Sequence, residues 1–138
     1  MILLHDYLTH WQINYPDASV PNDELTDDMR KDAQVTVDLA NELLERFGHE
    51  RGLASGWRPL DVNRRVPGAS AHSNHCLCRA VDIADPGNAL DGWLSANPEI
   101  LDELGLWRES PSKSPNWCHL QIVPNASWQP GKSRTYNP

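Results

Sequence analysis

Five residues, Ala80 to Ala84 (AVDIA), restrict the fold of this chain more than any others. The run has the apolar, β-branched character of a strand buried in a sheet, yet a carboxylate sits at its centre. Burying an ionised carboxylate is costly unless a positive group or hydrogen-bond donors compensate it. The sheet must therefore bring partners to Asp82, and two histidines are placed to serve. His75 lies in the segment leading into the strand, close enough to curl back. His119 lies in CHLQIV (Cys118 to Val123), a second short strand in which His119 and Gln121 share one face and Cys118 and Leu120 the other. If the two strands are neighbours, all three side chains converge.

Two imidazoles and one carboxylate match the set that holds a catalytic zinc in three places and leaves a fourth for water. A structural zinc site would close all four positions, most often with thiolates. A plainer reading is equally open on spacing alone: Asp82 bonded to backbone amides, beside two histidines with no shared task.

The remaining pattern predicts helices around a small sheet. Asp6 to Trp11 reads as a short opening helix, and Asp17 to Leu25 as a polar loop. Thr26 is a suitable N-cap, followed by Asp27 and Asp28 where acids favour the helix dipole. Ala33, Val37, Ala40, Leu44 and Phe47 then recur at helical spacing, up to Gly48 at the expected C-terminal glycine position. Gly52 to Trp57 and Leu106 to Glu109 are further strand candidates. Leu60 to Ala71 and Ser110 to Pro115 read as loops, and Leu90 to Leu104 as two short helical stretches closed by Gly105. Trp57, Trp93 and Trp107 are expected in the core. Helices followed by a small, mostly antiparallel sheet define an α+β fold in one domain over residues 1–138.

Composition narrows the partners. A net charge of −7 leaves no basic stripe for nucleic acid, and no apolar run approaches the length of a membrane span. The start, MILLHDYLTHW, lacks the basic region and cleavage site of a secretory signal. Synthesis in the cytoplasm without a signal peptide is expected, so a substrate elsewhere would have to be reached through another agent. Cys76, Cys78 and Cys118 flank the candidate ligands and are expected to be reduced and structural. A monomer is expected.

SGWRPLDVNRRV, SNHCLCRAVDIAD and WCHLQ, in that order, resemble the zinc D-alanyl-D-alanine carboxypeptidase and L-alanyl-D-glutamate endopeptidase family. Those are peptidoglycan peptidases that include many phage endolysins and share a metal-site fold with the hedgehog signalling domain. The family pattern of Ser-x-His, six residues, Asp, and later Trp-x-His falls on Ser73, His75, Asp82, Trp117 and His119. The resemblance runs from about Ser55 to Pro124, and the flanks HDYLTHWQINYP and GKSRTYNP look like those of short phage or prophage members.

The resemblance implies a hedgehog or DD-peptidase-like fold and a Zn2+ ion on His75, Asp82 and His119. It also implies that Arg58 handles substrate oxygen, that Ser73 orients a ligand or substrate, and that Trp117 stands beside the last ligand. His72 is expected to touch the cleft. One position departs from the pattern: Asn116 stands three residues before the last histidine, where most members carry the catalytic Glu or Asp. Three explanations compete. Glu109 supplies the base, or Asn116 only positions the water, or the site binds peptidoglycan without turnover. The resulting reading is a zinc metallopeptidase cutting the stem peptide at the L-Ala–D-Glu or the D-Ala–D-Ala bond, with a slight lean to a lytic endopeptidase. The rival is a silent zinc-containing wall-binding or virion module.

Overall fold

The computed structural model describes residues 1–138. The chain opens with helix α1 (Leu4–Thr9), extended by a 3-10 turn, His10–Ile13. Helix α2 (Asp27–Phe47) is the long scaffold. Thr26 caps it, its hydroxyl accepting from the Met29 N–H, and Gly48 ends it in the left-handed conformation at φ 81°. The face predicted from spacing is the buried one: Ala33, Val37, Ala40 and Leu44, joined by Thr36 and Leu43.

Five strands form one mixed, mostly antiparallel sheet: β1 (Leu53–Ser55), β2 (Ala80–Ala84), β3 (Trp107–Glu109), β4 (Trp117–Gln121) and β5 (Thr135–Tyr136). Their order across the sheet is β1-β2-β4-β3-β5, with β5 parallel to β3 and every other pair antiparallel. Strands β2 and β4 are neighbours, and Asp82 pairs directly with His119. Val81, Ile83, Cys118 and Leu120 point to the other face, each at most 1% exposed, and pack into a core shared with α2. Strict alternation thus sends the apolar residues inward and leaves Asp82 and His119 together on the opposite face. No helix is long and apolar enough to cross a membrane.

Some boundaries differ from the sequence reading. The first strand is shorter than Gly52 to Trp57, because the Trp57 N–H donates to Tyr7 O in α1 and not to a strand. Leu60 to Ala71 is not all loop: Leu60–Arg65 is helix α3. This segment has little amphipathic signal, since only Val62 and Asn63 are buried. Its support is charge at helical spacing, Asp61 pairing with both Arg64 and Arg65. Trp57 and Trp107 are buried as expected, whereas Trp93 is half-buried.

Helices α4 (Ala89–Ala96) and α5 (Glu99–Leu104) lead into β3. Arg108, 3% exposed, fastens this part together. Its guanidinium donates to Asp91 O at 2.6 Å, Ser95 Oγ at 3.1 Å and Thr135 Oγ1 at 3.0 Å, and it pairs with the Asp91 carboxylate at 3.3 Å. One side chain thereby ties α4 to β3 and β5. Arg108→Met leaves the Asp91 carboxylate buried without its counter-ion, at a cost of about 3–5 kcal/mol. A lowered denaturant midpoint with an unchanged slope is the expected signature.

Candidate metal centre

Three elements deliver the ligand candidates. Asp82 comes from the middle of β2 and His119 from the middle of β4, directly across the ladder. His75 comes from a 3-10 turn, Asn74–Leu77, that immediately precedes β2. Ser73 caps this turn by accepting from the His75 N–H at 3.2 Å. Cys78 ends it in the left-handed region at φ 61°, and its carbonyl is pinned to α2 by the Thr36 hydroxyl at 2.8 Å. This tight reversal is what folds His75 back over a strand only a few residues further on.

The three side chains offer ligand atoms that all lie within 4.8 Å of one another. His119 Nδ1 is 2.7 Å from Asp82 Oδ1, and His75 Nε2 is 3.2 Å from Asp82 Oδ2. The outer ring nitrogens are engaged elsewhere. His75 Nδ1–H donates to the Gly56 carbonyl at 2.8 Å, and His119 Nε2 faces Gln121 Oε1 at 2.9 Å. The inner nitrogen of His75 is fully shielded from solvent and makes no hydrogen bond of proper geometry. An orphaned imidazole nitrogen beside a carboxylate and a second imidazole is the arrangement one cation would satisfy. Two nitrogens and one oxygen are a donor set suited to zinc. The residues fit such an ion.

Charge balance agrees with the geometry. Burial alone would raise the Asp82 carboxyl, but the charge of His75 and the hydrogen bond and charge of His119 outweigh it and hold it well below the usual carboxylate range. Burial pulls both imidazoles downward. Asp82 more than reverses this for His119, which ends raised, and only partly offsets it for His75, which ends lowered.

The cluster lies in a cleft of about 860 Å³, a size that accepts a short peptide. Arg58, His72, Ser73, Glu109 and Trp117, all singled out from the sequence, line it. Arg58 donates to Ser73 Oγ at 3.3 Å, its Nε is buried without a partner, and it takes part in no ion pair. Glu109 is half-buried. Burial raises its carboxyl above the ordinary glutamate range and Asp82 pushes the same way, against opposing pulls from His119 and Lys113.

Asn116 is not brought to this cleft. It occupies the left-handed region at φ 68°, where asparagine is favoured. Its side chain accepts from the Gly87 N–H at 3.2 Å, and its own N–H donates to Asn88 Oδ1 at 2.8 Å. It shapes the turn entering β4. The three cysteines are free thiols outside the ligand cluster. Burial pushes the Cys78 thiol up to about 12, so it stays protonated at neutral pH.

Residues with a part in the site that sequence reasoning passed over are Gly56, Gln121 and Tyr136. Alternation along β4 already put Gln121 on the His119 face. Gly56 carried no local signal, and Tyr136 lies in a strand too short to predict. A family model described as Peptidase M15 matches residues 16–106, which include Arg58, Ser73, His75 and Asp82. His119 and Glu109 lie beyond the matched span. No curated protein and no solved structure matches the chain.

Gly56 provides a test of the bracing behind His75. A Cβ at this position would lie 2.2 Å from Tyr7 O, a backbone atom that cannot yield cheaply. Gly56→Ala is expected to displace the carbonyl that holds His75 Nδ1, weakening metal uptake by roughly 10-fold or more. Calorimetric zinc titration against the wild type reads the effect.

Proposed function

The chain belongs to the peptidase M15 family, and from this and the geometry of its cleft we propose that it is a zinc-dependent peptidase of bacterial peptidoglycan. The carrying observation is the convergence of His75, Asp82 and His119 on one point of a peptide-sized cleft, with the His75 nitrogen left unpartnered. In this reading those three residues hold the ion, as parts of one peptidase domain built on a single buried cluster. When bound, zinc supplies Lewis acidity toward the scissile carbonyl and the attacking water.

The chain's own groups do the rest. Arg58 is a guanidinium with no carboxylate partner, half-buried at the cleft wall. Its planar fork suits the paired oxygens of a substrate carboxylate. Ser73 accepts from both the Arg58 guanidinium and the His75 N–H, so one hydroxyl ties the substrate-binding guanidinium to the turn that carries His75. Glu109 is the general base, taking the proton from the attacking water and returning it to the leaving amine. Its raised affinity for protons suits both directions of transfer. His72 and Trp117 wall the cleft along the stem peptide. Ser73 has no base beside it and the cysteines stay protonated, so hydrolysis proceeds without a covalent intermediate.

Glu109 also weakens the case for a silent wall-binding module, which drew its support from Asn116. The substrate is the peptide stem, cut at the L-Ala–D-Glu or the D-Ala–D-Ala bond. Incubating zinc-loaded protein with muropeptides and weighing the products is expected to reveal one of these two cleavages. Binding with no product would leave the module reading in its place. His119→Ala is expected to lose both zinc and cleavage, and a full equivalent of bound metal in that variant would overturn the ligand assignment. Glu109→Gln is expected to keep zinc while turnover falls by roughly 10²- to 10⁴-fold. In the metal-free wild type, the Glu109 carboxyl should titrate at a higher pH than an ordinary glutamate, as read by carbon-13 NMR. An unchanged rate in Glu109→Gln assigns the base elsewhere.

A further inference from the structure

Gln121 is 3% exposed, and every polar atom of its side chain is committed. Its Nε2 donates to the Val123 carbonyl at 2.9 Å. A carbonyl only accepts, so the amide nitrogen must face Val123 and the amide oxygen must face the other way. That oxygen lies 2.9 Å from His119 Nε2 and 2.7 Å from the Tyr136 hydroxyl. An amide oxygen also only accepts, with two lone pairs, and these two contacts use both. His119 Nε2 therefore carries a proton, and Nδ1, facing Asp82, is the ring nitrogen left for a cation.

His75 is wired in the opposite sense, Nδ1–H bound to Gly56 O and Nε2 left inward. The two imidazoles thus offer different nitrogens to one point. Tyr136 reaches Gln121 from β5, where it pairs with Glu109 in the parallel ladder and accepts from the Ser110 N–H at 2.7 Å. A residue near the end of the sequence thereby latches the amide that fixes a ligand in β4.

We infer that Gln121, latched by the Tyr136 hydroxyl, is a positioning residue for the metal centre: it dictates that His119 binds through Nδ1 and sets the aim of its ring. This rests on the metal reading proposed above. A buried glutamine with only a packing role would be replaceable by an apolar side chain of the same length, and this is the distinction to test.

Zinc affinity by competition with a chromophoric chelator, and nitrogen-15 NMR of the histidine rings in the zinc-loaded protein, provide two readouts apart from activity. The wild type is expected to show His119 protonated at Nε2 and metal-bound at Nδ1, with His75 the reverse. Gln121→Met should bind zinc roughly 10- to 100-fold more weakly and lose the single set of His119 ring signals. Gln121→Glu, which keeps an acceptor for Nε2–H but loses the donor to the Val123 carbonyl, should recover only part of the affinity lost in Gln121→Met. Tyr136→Phe removes only the latch and should cause a smaller loss in the same direction, which keeps the test decisive if Gln121→Met does not fold. Wild-type affinity and ring spectrum in Gln121→Met or Tyr136→Phe, or metal on His119 Nε2 in the wild type, would overturn the inference while leaving the metal reading intact. Failure of the wild type to take up zinc at all would instead remove that reading and this role with it.

Discussion

Asp82 meets two imidazoles at once, His119 Nδ1 at 2.7 Å and His75 Nε2 at 3.2 Å, from the centre of a strand whose neighbours are apolar. A carboxylate in that setting is tolerable only because positive charge or a cation compensates it, so the strand cannot settle in a different register. A slip of one residue between β2 and β4 would turn Asp82 and His119 out of alignment and set polar side chains against the core. Hydrophobic alternation and charge compensation demand the same pairing. The fold and the site are two consequences of one ladder.

What surrounds this centre is bracing of the outer ring nitrogens. His75 is held from one side by Gly56 O, which sits under the end of α1, where Tyr7 O approaches too closely for any Cβ. The Tyr7 hydroxyl in turn donates to Ala80 O at 2.7 Å, tying α1 to the start of β2. His119 is held from the other side by Gln121, itself held by Val123 and Tyr136. Segments from opposite ends of the sequence therefore close on the middle of the chain. A ligand set fixed in this way needs little rearrangement to receive an ion, which is how a preorganised site turns folding energy into affinity.

Around the centre the cleft separates its tasks by environment. Arg58, proposed to meet a substrate oxygen, keeps a guanidinium with no carboxylate partner, while Glu109 is buried enough to hold a proton more tightly than an ordinary glutamate. Asn116, at the position where the family pattern carries an acid, is spent on the turn that aims β4. Its left-handed backbone explains an asparagine there, and Glu109 occupies the cleft instead.

The local patterns of the chain were enough to specify the capped α2 helix, the buried AVDIA strand, the alternation that puts His119 and Gln121 on one face, and the three candidate ligands. Each depends on propensity, spacing or the cost of burying charge, quantities that act over a few residues. Helix α3 escaped notice because its support is ion pairing at helical spacing and one buried valine, with no apolar stripe to see. Strand β5 escaped because two residues have no periodicity. Tertiary structure alone decided that Glu109 and not Asn116 enters the cleft, that Gly56 admits no side chain, and which nitrogen each histidine turns inward. Those outcomes depend on contacts between segments dozens of residues apart, and no local pattern carries the register and packing that create them.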